Sequence, residues 1–398
     1  MSSIPSEQVT PGKASLFYDP KIRGYVYQAA LVAIVAFLIW SAASNAIENL
    51  RAQKIASGFG FWHNAAGFDI NQKLITFSAS GGSTYGDAFI VGLLNTLLVA
   101  GLGIIFATFL GFFVGVARLS NNWVISKLAM IYVEVIRNIP LLLQLFFWYN
   151  AVLKPLPNPR DSIALPAGAL LNNRGLYLPD PQLGPGGNLI VWAFLIGLVA
   201  TFIFRSWAHK QQAATGRQYP IGWVALALIV LLPALIYFVT GRPISFIYPE
   251  RAGFNLRGGI QIFPEFVALL IGLTTYTAGF IAEVVRAGIL AVSKGQTEAA
   301  NALGLRNGPT LKLVVIPQAM RVIIPPLTSN YLNLIKNSSL AVAIGYPDLV
   351  QVFTGTVLNQ TGQAVEVVAI TMAVYLTISL VTSLFMNIYN KRMALVER

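Results

Sequence analysis

Five charged residues stand inside long apolar runs of this sequence: Glu134, Arg137, Glu283, Arg286 and Lys336. A charge at the centre of a bilayer costs at least about 2.5 kcal/mol, so charges inside spans usually face a bundle interior or a watery cavity and mark a substrate path. A simpler interpretation stays open, in which Arg137 and Arg286 extend to the inner interface and Glu283 pairs with Arg286 one helical turn away. Lys336 lies deeper from either end of its run, which favours a functional role.

This chain has few residues of the types that thiol chemistry, metal binding or nucleotide binding requires. The sequence contains no cysteine, and His63 and His209 are its two histidines, so we expect neither a metal site nor a catalytic site. The nearest fragment to a phosphate-binding loop, Gly12-Lys13-Ala14, lacks the upstream glycine and the Ser/Thr of that motif. We therefore expect no cofactor on this chain and any ATP hydrolysis on another one.

Composition indicates a membrane protein. Of 398 residues, 56% are hydrophobic and 11% are charged, and the mean hydropathy is +0.66, whereas soluble domains carry about a quarter charged residues. The formal net charge of +12 is compatible with nucleic-acid binding, but in a polytopic membrane protein it more often reflects basic residues on the cytoplasmic side. We expect lipid and not nucleic acid around this chain.

The apolar runs predict an all-α polytopic protein with about eight transmembrane helices. The predicted spans are residues 25–47, 89–117, 128–153, 189–204, 221–239, 264–285, 322–345 and 364–389. Residues 1–24 and 390–398 are predicted to be cytoplasmic tails, and residues 48–87 a periplasmic loop. In the second span Ala107, Gly111 and Gly115 recur every fourth residue, which predicts a face for close helix packing.

The distribution of lysine and arginine predicts the orientation. Sixteen of these residues fall in the tails and loops on one side, against nine in the much longer loops on the other side. The positive-inside rule therefore places both termini, and the polar loop at residues 293–321, in the cytoplasm.

That loop has a regular pattern of its own. Glu298, Ala299 and Ala300 are followed after three residues by Gly304, and the segment Val314-Val315-Ile316-Pro317 follows nine residues later. Ser293 begins a capping-box pattern, and Gly304 accepts the left-handed conformation that ends a helix. The pattern predicts a helix, a sharp bend at Gly304 and a second helix from Asn307. An ordinary cytoplasmic loop remains the plain alternative.

The spacing resembles the EAA loop of ABC-importer permeases, in which two coupling helices dock onto the ATP-binding subunit. The family's usual ending is Ile-x-Leu-Pro, so Val314 and Ile316 are conservative departures before Pro317. The resemblance implies that the coupling residues are Glu298, Ala299, Ala300, Gly304, Val314, Ile316 and Pro317.

Further segments resemble the amino-acid branch of this family. They are residues 92–97, 137–144, 276–278, 283–288 and 336–340, within a transmembrane domain at 88–389. The resemblance implies a type I importer core of five spans. Three spans are extra, one at the N-terminus and two in an insertion at about 155–260. Such an enlarged permease is similar to the general L-amino-acid transporters of Gram-negative bacteria.

The resemblance also implies partners and a bacterial inner-membrane location. The partners are an ATP-binding subunit dimer that carries ATP and Mg²⁺, a second permease subunit, identical or homologous, and a periplasmic amino-acid-binding protein. An amino acid needs an acceptor for its ammonium and donors for its carboxylate, and we expect Glu283 and Lys336 to supply them. The other candidates for the substrate path are Tyr331, Asn337, Ser338, Ser339, Arg137 and Glu134.

Three other functions remain open. An ion-driven secondary transporter would show internal repeats and matching broken helices, and no such repeat is visible. An ABC permease for another small solute, or a sensor that borrows the fold, is also compatible with these patterns.

Overall fold

The computed structural model describes residues 20–52, 57–253 and 255–393, and within these residues the chain is mainly helical. The helices are α1 (Pro20–Ala52), α2 (Tyr85–Ala117), α3 (Trp123–Asn138), α4 (Leu141–Phe146), α5 (Gly187–Thr215), α6 (Ile221–Leu226), α7 (Leu232–Val239), α8 (Pro264–Leu290), α9 (Lys294–Ala302), α10 (Asn307–Thr310), α11 (Ile316–Asn337), α12 (Leu358–Thr361) and α13 (Ala364–Met393). Segments of π-helix at Phe147–Leu153, Ala227–Leu231, Leu311–Val315 and Val350–Val357 continue or join them, and a 3₁₀ segment at Ser338–Ile344 extends α11. The predicted fold class is confirmed.

Among the described residues, seven helices are long and apolar enough to cross a membrane, and α3 with α4 forms a pair bent by 106°. The chain breaks before Pro140, because proline disfavours a helical conformation in the residue preceding it. Val133, before the bend, shares a buried cluster with Ala282 of α8, and Tyr149, after it, donates a hydrogen bond of 2.7 Å to Glu265. The pair therefore follows α8 for about 26 Å, at 1.5 Å per residue, and makes an eighth span.

Helices α2 and α8 form the most extensive helix contact among the described residues. Ala107, Gly111 and Gly115 are all buried, as the four-residue spacing predicts. A Cβ atom on Gly111 would lie 2.6 Å from the Ile281 side chain, and one on Gly115 would lie 2.7 Å from the carbonyl oxygen of Ala282. The small residues therefore let the two backbones approach, as expected for helices that associate within lipid.

We expect Gly111→Val to destabilise the purified protein by about 1–3 kcal/mol, because overpacking a dense interface forces backbones or rotamers to shift. Gly101→Val is the matched control, since Gly101 is an exposed residue of the same helix with no heavy atom within 4 Å of its would-be Cβ. Thermal melting of the detergent-solubilised protein measures both. Equal melting temperatures for the two variants would contradict the close approach.

The segment before α2 is part of the core, although the sequence indicated only a loop there. Phe61, Ile70 and Phe77 are each no more than 4% exposed and belong to one cluster with Phe353 of the Val350–Val357 segment. The rings of Phe61 and Phe353 lie 6.4 Å apart. The aromatic residues of this segment follow no helical period, so the sequence did not predict that they are buried. They become buried through contacts with residues far away in the sequence. Residues 57–84 thus form a fixed cap over one end of the bundle.

The insertion contains short strands that the sequence did not predict. The strands are β1 (Ile163–Ala164), β2 (Leu170–Asn172), β3 (Gly175–Leu178), β4 (Asp180–Leu183), β5 (Ile244–Ile247), β6 (Glu250–Ala252), β7 (Asn255–Arg257) and β8 (Ile260–Ile262). They pair antiparallel in the orders β1-β2-β3-β8, β4-β5 and β6-β7. Proline and glycine prevent helix here, and β3 pairs with β8 so that Tyr177 faces Gln261. This pairing closes the insertion at its base, and α5 with α6 and α7 forms a hairpin of two spans beyond it.

Several boundaries differ from those expected. Helix α1 begins at Pro20 and its apolar part is residues 22–45. Helix α11 begins at Ile316 and not near Val322, because the helical chain continues from the polar loop without a break. The rest of the two predicted tails, residues 1–19 and 394–398, lies outside the described residues.

Candidate functional site

The polar loop at residues 293–321 folds as helix α9, a bend and helix α10. Gly304 has φ +77°, the left-handed conformation that ends α9. The Leu305 N–H donates to the Ala300 carbonyl at 3.1 Å, and the Gly304 N–H donates to the Asn301 carbonyl at 2.9 Å. These two bonds define a Schellman motif. The Ser293 side chain makes no capping hydrogen bond, so the expected capping box is absent.

Most of this loop faces outward. Glu298 and Ala299 are exposed, whereas Ala300 is 4% exposed. Leu303, at the bend, is 82% exposed, and Ile316 is 45% exposed. Val314 and Pro317 are half-buried. Leu303 therefore presents an apolar side chain at a bend whose backbone is held by hydrogen bonds.

The loop is joined to two core helices by short connections. Helix α9 begins four residues after the end of α8, and α10 runs through the π-helical segment directly into α11. Helices α8 and α11 pack through Gly288, where a Cβ atom would lie 2.3 Å from the Ile323 side chain. A displacement of the loop therefore moves both helices, since packed helices shift as units and do not bend continuously.

Glu283 is engaged by two arginines. Arg118 at the end of α2 and Arg286 on the same helix both form ion pairs with its carboxylate. The side chains of Arg118 and Glu283 are 11% and 28% exposed. The structure brings Glu283 and Arg286 together, as the simpler interpretation expects, and adds Arg118. The cluster joins the end of α2 to α8.

A polar cavity of about 260 Å³ opens between α8 and α11. It is lined by Tyr276, Thr277, Phe280, Asn330, Asn333 and Asn337, and we call it the asparagine cavity. The guanidinium carbon of Arg137 lies 5.1 Å from the centre of the Phe280 ring, at cation–π distance. Amide and hydroxyl groups with a nearby cation, within an apolar bundle, suit a polar solute that carries an anionic group.

Of the predicted substrate-path residues, Asn337 lines the asparagine cavity and Arg137 stacks on one of its walls. The Tyr331 hydroxyl shares a hydrogen bond of 2.8 Å with Thr108 of α2. Ser338 and Ser339 donate to backbone carbonyls one turn earlier.

The two remaining candidates lie at the surface of the chain. Glu134 and Lys336 are both exposed, and neither lines the asparagine cavity. The ion pairs found among the described residues are those of Glu283 with Arg118 and Arg286, so the structure does not pair Glu283 with Lys336.

Asn330 and Asn333 were not among the sequence candidates. With Asn337 they stand at positions i, i+3 and i+7 of one helix, which places all three on one face. Three asparagines on one face of an otherwise apolar helix were the pattern from which the sequence could have predicted this cavity wall. Thr277 and Phe280 on α8 gave no comparable signal, because they become cavity walls only when α8 packs on α11.

A bundle of eight spans with an exposed helix–bend–helix at one end and a polar cavity between two of its helices is the architecture of a membrane permease. The chain belongs to the family of binding-protein-dependent transport system inner membrane components, which matches residues 103–395. It is a component of an ABC transport system and not an enzyme.

Several curated relatives span nearly the whole chain. The chain is 54% identical to the general L-amino acid transport system permease protein AapQ of Rhizobium johnstonii, over 96% of this chain and 95% of that one. It is 52% identical to the putative amino-acid ABC transporter permease protein YhdX of Escherichia coli, over 97% and 98%. It is 43% identical to the glutamate/glutamine/aspartate/asparagine transport system permease protein BztB of Rhodobacter capsulatus, over 96% of each chain.

Proposed function

We propose that this chain is the permease subunit that carries L-amino acids inward through an ATP-driven importer. The observation that carries the proposal is the direct connection of the exposed polar loop to α8 and α11, the two helices that line the asparagine cavity. A force applied at the loop therefore reaches the walls of the cavity through a short connection to α8 and a continuous helical connection to α11. The relatives AapQ and BztB, both named for amino-acid transport, support the choice of substrate class.

The proposed partners follow from what this chain lacks and exposes. Its sequence has no phosphate-binding loop, so a dimer of ATP-binding subunits would carry ATP and Mg²⁺ and hydrolyse the nucleotide. One of these subunits would receive the bend at Leu303 and Gly304. A second permease chain would face the asparagine cavity, and a binding protein would deliver the amino acid at the opposite end. Closure of the ATP-binding dimer would then rock α8 and α11 and alternate the access of the cavity.

Within the cavity we propose that amide groups bind the polar parts of the amino acid, while Arg137 attracts its carboxylate. Lys336 is exposed one residue before Asn337 and does not line the cavity, so we propose that it attracts the carboxylate from outside the cavity and does not bind it there. Glu283 is held by two arginines, and we propose that it anchors α2 to α8 and does not bind substrate.

The test of the function is uptake by the reconstituted complex with its ATP-binding subunits and binding protein. We expect L-glutamine to accumulate in liposomes only when ATP is present on the side of the ATP-binding subunits. Collapse of proton and sodium gradients should leave the rate unchanged. Uptake driven by a gradient without ATP would indicate a secondary transporter instead, and transport of another solute without any amino acid would indicate a different permease.

We propose further that the protein spans the bacterial inner membrane with both termini in the cytoplasm. Because the chain has no cysteine, a single introduced thiol reports its own side. We expect Ser80→Cys, in the exposed cap before α2, to react with a membrane-impermeant maleimide in intact spheroplasts. Leu303→Cys is expected to react only after the membrane is opened. Labelling of the Leu303→Cys thiol from outside would overturn this orientation.

A further inference from the structure

A second polar cleft, of about 660 Å³, lies at the end of the bundle opposite the polar loop. We call it the outer cleft. Its walls include the charged residues Asp69, Lys73, Lys154, Arg174 and Glu265. Four separate parts of the chain build it: the cap before α2, the end of the bent span, the insertion and the first turn of α8. The cap and the insertion are the two parts to which the function above assigns no role.

The outer cleft contains both positive and negative side chains, and these do not form ion pairs with one another. Lys73, Lys154 and Arg174 supply positive charge, and Asp69 and Glu265 supply negative charge. Among the described residues, no two of these five side chains approach within the 4.0 Å of an ion pair, since the ion pairs found there both involve Glu283.

Neutral partners position these side chains. The Tyr149 hydroxyl donates to Glu265 at 2.7 Å, and the Lys154 ammonium lies 4.9 Å from the centre of the same tyrosine ring. Asp69 accepts from the Ala79 N–H at 2.9 Å. Opposite charges held apart in one cleft remain available to a ligand that itself carries both charges.

Two buried acceptors in the same walls lack a partner. The side-chain carbonyl oxygens of Gln72 and Asn173 are buried and accept no hydrogen bond from any residue that the structure describes. Asn173 lines the outer cleft, and Gln72 lines an adjoining cavity of about 180 Å³ that shares Asp69, Asn71 and Glu265 with it. Leaving a buried acceptor unpaired is destabilising, so an N–H donor from a bound ligand would be stabilising once a small shift of the wall lets it reach these oxygens.

The position of the cleft matches the direction of transport. Glu265 and Tyr276 lie on the same helix, eleven residues apart, so the outer cleft stands roughly 17 Å above the asparagine cavity at 1.5 Å per residue. A solute that leaves a binding protein at this end would meet the outer cleft before it reaches the cavity.

We propose that the outer cleft binds the α-amino and α-carboxylate groups of a free amino acid before it enters the membrane. Glu265 and Asp69 accept from the ammonium, while Lys154 and Arg174 donate to the carboxylate. Both charges of the ligand are needed, because either alone leaves one wall of the cleft unpaired. The side chain of the amino acid has no charged partner reserved for it, which suits a transporter of several amino acids. This inference rests on the proposed function for its substrate class.

Thiol protection tests the site without using transport as the readout. Asn71→Cys places a thiol on an exposed residue of the cleft, and Thr76→Cys places one on an exposed residue of the same cap that does not line it. Each variant is assembled into the whole complex in lipid nanodiscs, without binding protein, and its rate of reaction with a small charged thiosulfonate is measured. We expect L-glutamine to slow the reaction of the Asn71→Cys thiol at least tenfold and to leave the Thr76→Cys thiol unaffected.

Charge requirements separate a specific site from general screening. Glutaramate lacks the ammonium of glutamine, and 4-aminobutanamide lacks its carboxylate, so neither is expected to protect at the concentration where glutamine does. Glu265→Gln in the Asn71→Cys background should raise the glutamine concentration needed for protection at least tenfold. Protection by both analogues, protection of Thr76→Cys, or no protection by glutamine would each overturn the proposal.

The same preparations distinguish this proposal from the importer function. ATP-driven glutamine uptake by the unmodified complex, combined with no protection of the Asn71→Cys thiol, would overturn the outer cleft and leave the importer standing. Glutamine-specific protection without ATP-driven uptake would support the cleft and count against the importer.

Discussion

Replacing Gly304 by valine is expected to lower ATP-driven uptake at least tenfold while the permease still inserts and assembles. Gly304 has φ +77°, and a Cβ atom there would meet no heavy atom of the described residues within 4 Å. The penalty is therefore one of backbone conformation, about 1–2 kcal/mol for an L-residue in the left-handed region, and a β-branched side chain is among the least tolerant. The bend that presents Leu303 would shift, and the contact with the ATP-binding subunit would be lost.

Gly304→Asn is the matched control, because asparagine visits the left-handed conformation routinely. Uptake into liposomes and binding-protein-stimulated ATPase activity are measured for both variants. We expect Gly304→Val to lower uptake at least tenfold and Gly304→Asn to retain most of it. Normal uptake by Gly304→Val would show that the bend does not couple the two subunits.

Replacing Asn333 by leucine is expected to lower amino-acid uptake at least tenfold, with little change in the amount of assembled complex. Asn333 is exposed on α11 and lines the asparagine cavity with Asn330 and Asn337. Leucine has a similar size and a higher helix propensity, so α11 should be preserved. The substitution removes an amide that would hydrogen-bond the substrate in the cavity. A polar group of the substrate that loses its partner there costs about 1–3 kcal/mol.

Ser329→Ala serves as the control, since Ser329 is an exposed polar residue of the same helix that does not line the cavity. ATPase activity stimulated by the loaded binding protein should survive in both variants, because the polar loop is unchanged. If Asn333→Leu transports amino acids at the unmodified rate, the substrate path must run elsewhere, with Lys336 as the next residue to test.

The number of spans, the polar loop and its bend were accessible from the sequence, because each depends on local properties. Transfer of about twenty apolar residues into lipid decides a span almost independently of the rest of the chain. The bend needed only a residue that tolerates positive φ, and Gly304 supplies it. The close-packing face of α2 followed from the spacing of Ala107, Gly111 and Gly115.

Which residues come together in each polar site was decided by the tertiary structure. Glu283 and Arg118 are 165 positions apart in sequence yet form an ion pair. Because nothing near Glu283 in the sequence points to Arg118, the sequence analysis grouped Glu283 with Lys336 instead. The asparagine cavity joins residues of α8 and α11, and the outer cleft joins four distant segments. Which polar side chains meet depends on how each helix is rotated about its axis. Close contacts such as that of Gly111 with Ile281 set this rotation, and they form only when the whole bundle packs.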